Sequence, residues 1–62
     1  MTKVELECKI DRETDAAMLI TSTDTGVKDW VPLSCVSKIV RRKDGMAEVV
    51  MEEWIAIKKG FV

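Results

Sequence analysis

The first stretch of the chain alternates apolar and charged residues with a period of two. The apolar positions are Val4, Leu6, Cys8 and Ile10, and a Lys or Glu stands between each pair. Successive side chains of a strand point to opposite faces of a sheet, so this period is typical of a strand with one buried face. The pattern predicts a first strand over residues 2–11 and a polar connection over residues 11–15.

Further short strands are predicted up to residue 51. They cover residues 16–21, 27–31, 35–40 and 46–51. The first of these is apolar almost throughout, which indicates a strand nearly buried on both faces. Gly26 suits a turn before the next strand, and Pro32 should interrupt the ladder because it has no amide donor. The dipeptide Asp44-Gly45 between two β-patterned runs indicates a hairpin.

The last segment changes its period and predicts a helix. Residues 52–59 begin with two Glu and end with two Lys, an order that complements the helix macrodipole. Gly60 stands where a left-handed residue ends many helices, and the apolar Phe61 beyond it fits a Schellman cap. We expect about two helical turns, with Trp54 and Ile57 anchoring the helix on the sheet.

Together these elements predict one domain over residues 1–62. Its fold class is mainly β: a small barrel-like or strongly curved antiparallel sheet of four to five strands with one short C-terminal helix, about residues 52–59. Closing the sheet, or covering it with the helix, would protect its edges.

The composition limits how such a small domain is stabilised. The chain has 62 residues, 10 Lys and Arg, 11 Asp and Glu, no His and a net charge of −1. Domains of this size often add a disulfide, a metal or a second subunit. Cys8 and Cys35 are far apart and lack ligand partners, so we expect no metal and no cofactor. No export segment is visible, so free core thiols in the cytoplasm are expected, and self-association remains as an additional source of stability.

No catalytic constellation stands out. Without His, acid–base chemistry near neutral pH needs a strongly shifted carboxyl, amine or thiol, and nothing marks one. Glu52 and Glu53 are adjacent at a helix start, where capping explains them. We therefore expect a binding protein and not an enzyme.

Two features are candidates for contact with a protein partner. Trp30, beside Asp29, is either a core residue or a large recognition surface. Arg41, Arg42 and Lys43 form a basic hairpin tip, and we include them with Asp29 and Trp30 as candidate contacts.

The alternative is a nucleic-acid or nucleotide-binding barrel. Lys38 and Arg42 fall on the same side of a regular strand, so Lys38, Arg41, Arg42 and Lys43 would supply the phosphate contacts. The same residues also suit a solvated turn. The net charge of −1 and the absence of aromatic residues from this cluster favour the protein partner.

Two stretches carry a family resemblance. Residues 30–36 read W-V-P-L-S-C-V, and residues 53–61 read E-W-I-A-I-K-K-G-F. This W-x-P-x-S block with its E-W-x-A-x-x-K-G tail resembles small uncharacterised proteins of tailed phages and prophages, although those often carry Pro before the tail Glu-Trp. The resemblance offers no catalytic residues. It implies a phage or mobile-element accessory protein in the bacterial cytoplasm, with a host or defence protein as the partner that it inhibits or redirects.

Overall fold

The computed structural model describes residues 2–62, which form five strands and one α-helix. The strands are β1 (Lys3–Glu13), β2 (Ala17–Ser22), β3 (Lys28–Pro32), β4 (Val36–Arg41) and β5 (Met46–Glu52), and the helix is α1 (Glu53–Lys59). A short 3₁₀ turn, Leu33–Cys35, precedes β4, and a tight turn over Lys43–Gly45 precedes β5. The predicted mainly β class with one C-terminal helix is confirmed.

The strands of residues 2–62 form one antiparallel sheet in the order β3-β2-β1-β5-β4. The central strand β1 is shared between two neighbours. Its first part pairs with β5, from Lys3 opposite Glu52 to Lys9 opposite Met46, while its second part pairs with β2. The first and last strands of the described chain are therefore neighbours in the sheet.

The two edge strands, β3 and β4, are joined by a single 3₁₀ turn. In a flat five-stranded sheet, the edges would lie about 19 Å apart. The four residue steps from Pro32 to Val36 span at most about 14 Å. The sheet must therefore curve. No pairing joins β3 to β4 within residues 2–62, so the sheet is open and a barrel is not confirmed.

The core lies between the inner face of this sheet and α1. Its buried apolar residues are Leu6, Cys8, Met18, Ile20, Val31, Ala47, Val49, Met51, Ile55, Ala56 and Phe61. The period of two predicted for β1 is confirmed, because alternate residues of that strand supply this core, and β5 alternates in the same way.

The first strand is longer than predicted. β1 continues to Glu13 through residues that were expected to form a connection. A register shift between Ile10 and Arg12 places an extra residue in β1, as in a β-bulge, so that the polar segment still pairs with β2. Asp11 accepts a 2.8 Å hydrogen bond from Thr21 Oγ1 across this irregularity.

The prediction that β2 is nearly buried on both faces holds only for its inner face. Met18, Ile20 and Ser22 are buried, whereas the residues between them are only half-buried. The outer face of β2 is covered only in part, because the helix packs on the other side of the sheet. Its apolar Leu19 lies opposite Trp30 of β3, which explains the apolar sequence without a second core.

β4 departs from the alternation of a regular strand. Val36 and Ile39 are three residues apart and would face opposite sides of a regular strand, but both are half-buried and pack against the core. A register shift between Val36 and Lys38 changes which residues face inward. Val40 is 42% exposed.

The break at Pro32 is confirmed, since β3 ends there and a 3₁₀ turn follows. The hairpin is confirmed as well, with Asp44 and Gly45 both at positive φ.

The cap of α1 is confirmed, but the predicted packing face is wrong. Gly60 has a φ of 81°, and the amide of Phe61 donates a 2.9 Å hydrogen bond to the Ala56 carbonyl. Ile55 and Ala56 are buried, whereas Trp54 and Ile57 are exposed. The small Ala56 side chain allows a close approach to the sheet that a Trp would prevent.

Candidate binding surfaces

The outward face of β2 and β3 carries an apolar patch. Val31 of β3 is fully buried, and its neighbour Trp30 points to the other side with 38% of its surface exposed. Trp30 lies opposite Leu19, and Pro32 lies opposite Ala17. Because alternate residues of a strand share a face, these four side chains lie together. We call Ala17, Leu19, Trp30 and Pro32 the outer patch.

Charged residues border the outer patch. Arg12 lies opposite Leu19 on the side of β1, and Lys28 precedes Trp30 by two residues on the same face of β3. Both are exposed and make no ion pair within residues 2–62. An apolar centre with a polar rim is the usual anatomy of a protein interface.

Asp29, a predicted contact residue, is used within the fold. Its Oδ1 accepts a 2.7 Å hydrogen bond from the Trp30 amide. Its Oδ2 lies 3.6 Å from Lys59 Nζ at the end of α1. The carboxylate therefore connects β3 to the helix, on the face opposite to the outer patch.

The basic tip is largely neutralised by carboxylates from other strands. Arg41 makes a bidentate contact with Glu13, with donor–acceptor distances of 2.9 Å and 2.6 Å. These hydrogen bonds lower the pKa of the Glu13 carboxyl and raise the pKa of Arg41. Arg42 pairs with Glu48 and lies 3.8 Å from Glu7. Both guanidinium groups are thus already paired.

These contacts weaken the predicted phosphate site. Lys38 and Lys43 make no ion pair among the described residues, but a phosphate near Arg41 or Arg42 would meet the carboxylates that already occupy them. A cleft of about 170 Å³ lies beside the tip, and it too is lined partly by Glu13. Trp30 and the tip lie on opposite edge strands, so the predicted contact residues do not form one surface.

A second cleft, of about 320 Å³, lies beside the 3₁₀ turn and β4. Its lining residues are Leu33, Val36, Ser37, Lys38 and Ile39. Lys38 is the one ionisable group in that lining, which gives no acid–base pair.

Across residues 2–62, no three His, Cys, Asp or Glu side chains lie close enough together to hold a metal ion. Nor does any helix of this part have the length and apolar character to cross a membrane.

Both cysteines are free thiols in different settings. Cys8 is fully buried, and Cys35 is half-buried. Burial, with smaller contributions from the charges of Glu7 and Asp11, raises the pKa of Cys8 to about 11. The thiolate is the reactive form, so Cys8 is inert near neutral pH.

We expect iodoacetamide to modify Cys35 in the native protein and Cys8 only after denaturation, as measured by mass spectrometry.

The folded pKa of Cys8 lies above its ordinary value of 9.0, so the stability that it contributes is present below about pH 9 and is lost as the pH rises towards 11. The free energy of unfolding should fall by on the order of 2 kcal/mol over that range. The Cys8→Ala variant should lack this loss, and an equal loss in that variant would contradict the assignment.

Sequence reasoning missed the outward face of α1. Trp54 is 49% exposed and Ile57 is 59% exposed, although both were expected in the core. All four residues from Trp54 to Ile57 are apolar, so the pattern does not distinguish the inner face from the outer one. The one available signal was Ala56, whose size suits a close contact with the sheet.

Comparisons of the chain with protein-family models, with curated proteins and with solved structures gave no match. We therefore infer the function from the surfaces described above.

Proposed function

We propose that this chain is a non-enzymatic protein-binding module and that the outer patch is its contact surface. The exposure of Trp30 carries this proposal. The chain has only three aromatic residues, and a domain of this size needs apolar area for its core. Leaving a Trp on the surface lowers the apolar area available for folding, and Trp is the residue most typical of binding hot spots.

The position of the patch supports the same proposal. β3 is an edge strand of the described sheet, so a partner can approach Trp30 from the face and from the side. The rim residues Arg12 and Lys28 are both cationic. The partner that fits this surface has an apolar pocket for the indole, bordered by carboxylates.

The biological setting is part of the proposal. Following the resemblance of residues 30–36 and 53–61 to phage and prophage proteins, we propose that the partner is a host or defence protein in the bacterial cytoplasm. Binding would inhibit or redirect it. The scaffold in this proposal is a barrel-like sheet whose open side lies between β3 and β4.

The Trp30→Ala variant tests the outer patch. We expect at least a 10-fold loss of affinity for the captured partner, because truncation of a hot-spot Trp typically has that effect. The partner is captured from a bacterial lysate with the immobilised chain and identified by mass spectrometry, and its affinity is then measured. Val40→Ala is the matched control, since Val40 is comparably exposed but lies on β4. Circular dichroism verifies that both variants fold.

Retention of the partner by Trp30→Ala at full affinity would contradict the proposal. Salt separates it from the phosphate-binding alternative. Nucleic-acid binding should weaken steeply between roughly 50 and 200 mM salt, whereas binding through an apolar patch should change little. Capture of nucleic acid that depends on Lys38 and Lys43, and not on Trp30, would favour the alternative.

A further inference from the structure

The outward face of α1 is a second exposed apolar surface, separate from the outer patch. Trp54 and Ile57 are one helical turn apart and both point to solvent, because Ile55 and Ala56 occupy the inner face. The solvent-facing side of a surface helix normally carries polar and charged residues, so two large apolar side chains on one exposed turn are unusual.

Opposite charges border this apolar pair on its two sides. Glu53 and Lys58 are five residues apart, which separates them by roughly 140° around the helix, with Trp54 and Ile57 between them. Neither makes an ion pair within residues 2–62, whereas the neighbouring Lys59 is paired with Asp29. Their charges remain available for an intermolecular contact.

We infer that this face binds the same face of a second copy of the chain, with the two helices parallel. The order Glu53, Trp54, Ile57, Lys58 matches positions g, a, d and e of a heptad. In a parallel helix pair, a g residue meets the e residue five positions later on the other helix. Glu53 of each copy then meets Lys58 of the other, and the apolar pair forms the seam.

The charge arrangement selects this orientation. In an antiparallel pair, residues on the same side of the two helices face each other, so Glu53 would not meet Lys58 of the second copy. The parallel arrangement makes two identical ion pairs about its two-fold axis, as a homodimer requires.

The size of the face sets the strength of the dimer. Stable interfaces bury roughly 800 Å² per partner, which is about a fifth of the 3923 Å² surface of this domain. Two helical turns provide less than that. We therefore expect a weak dimer, with a dissociation constant on the order of 100 µM.

Charge reversal tests the pairing. The purified chain is studied by sedimentation velocity from roughly 10 µM to 1 mM, a range that brackets the expected constant. Glu53→Lys alone and Lys58→Glu alone should each weaken dimerisation at least 10-fold, because each places like charges at both contacts. An equimolar mixture of the two variants should associate as the original chain does. In the mixed dimer one chain carries lysine at both positions and the other carries glutamate at both, so both contacts are attractive.

Two further variants complete the design. Lys38→Glu reverses an exposed charge on β4 and should leave the dimer unchanged, whereas Ile57→Ser should weaken it at least 10-fold without loss of the fold, since Ile57 is exposed. A chain that stays monomeric at the highest concentration would overturn the inference. So would a mixture of the charge variants that remains as monomeric as either variant alone. The outcome is independent of Trp30 and of the proposed partner.

Discussion

The Phe61→Ala variant is expected to be largely unfolded at room temperature. Phe61 is the largest fully buried side chain of residues 2–62. Its backbone amide donates to the Ala56 carbonyl, and its carbonyl accepts a 2.9 Å hydrogen bond from the buried Ser22 hydroxyl, so the backbone fixes the position of the ring in the core. Truncating a buried Phe costs about 3–5 kcal/mol. A domain of this size has a total stability of only a few kcal/mol.

Urea unfolding followed by circular dichroism measures this effect. Val62→Ala is the control, because Val62 is adjacent but 52% exposed, and its truncation should change the free energy of unfolding by less than about 0.5 kcal/mol. A Phe61→Ala variant with the original unfolding midpoint would contradict the assigned role of this residue as a core anchor.

The Ile20→Ala variant is expected to lose about 2–4 kcal/mol of stability, the second largest effect that we foresee. Ile20 is fully buried on the inner face of β2, opposite Ile10 of the central strand. Removing its three outer carbon atoms leaves a cavity in a core that has few other apolar residues to fill it.

The matched control is the neighbouring residue on the other face. Leu19→Ala removes a similar volume, but Leu19 is only half-buried beside Trp30, so we expect a loss of about 1 kcal/mol. Denaturation midpoints of the two variants give the comparison. Equal losses would mean that both faces of β2 are buried, as the sequence alone suggested.

Local patterns explain why much of the fold could be predicted from the sequence. The period of two in β1 and β5 depends only on neighbouring residues, and so does the helix cap made by Gly60 and Phe61. The break at Pro32 follows from the covalent structure of proline. Each of these signals lies within a few residues of the feature that it predicts.

Features that depend on distant residues could not be predicted in this way. The burial of β2 on one face depends on which element covers it. Leu19 is apolar, so the sequence predicted burial on a face that no other element covers fully. The register shifts of β1 and β4 are set by their neighbours in the sheet. The apolar residues of α1 surround the helix, so its rotation is decided by the surface on which it packs.

The candidate surfaces were predictable only in part. The sequence identified Trp30 but left open whether it was buried or exposed. It could not reveal that Arg41 is paired with Glu13, because 28 residues separate them. Nor could it place Trp54 and Ile57 on the outside. The residue types suggested which side chains could bind a partner, while the strand order decided which charged side chains were already in ion pairs within the fold.

The pairing of β1 with β5 has a consequence for synthesis on the ribosome. Val4 pairs with Met51, and the core also needs Phe61, so this edge of β1 stays unpaired until β5 and Phe61 have been synthesised. Until Phe61 leaves the exit tunnel, the nascent chain carries unpaired strands that can associate with those of neighbouring polysomes. Slower translation of the codons for residues 46–61 would lengthen that interval and increase aggregation.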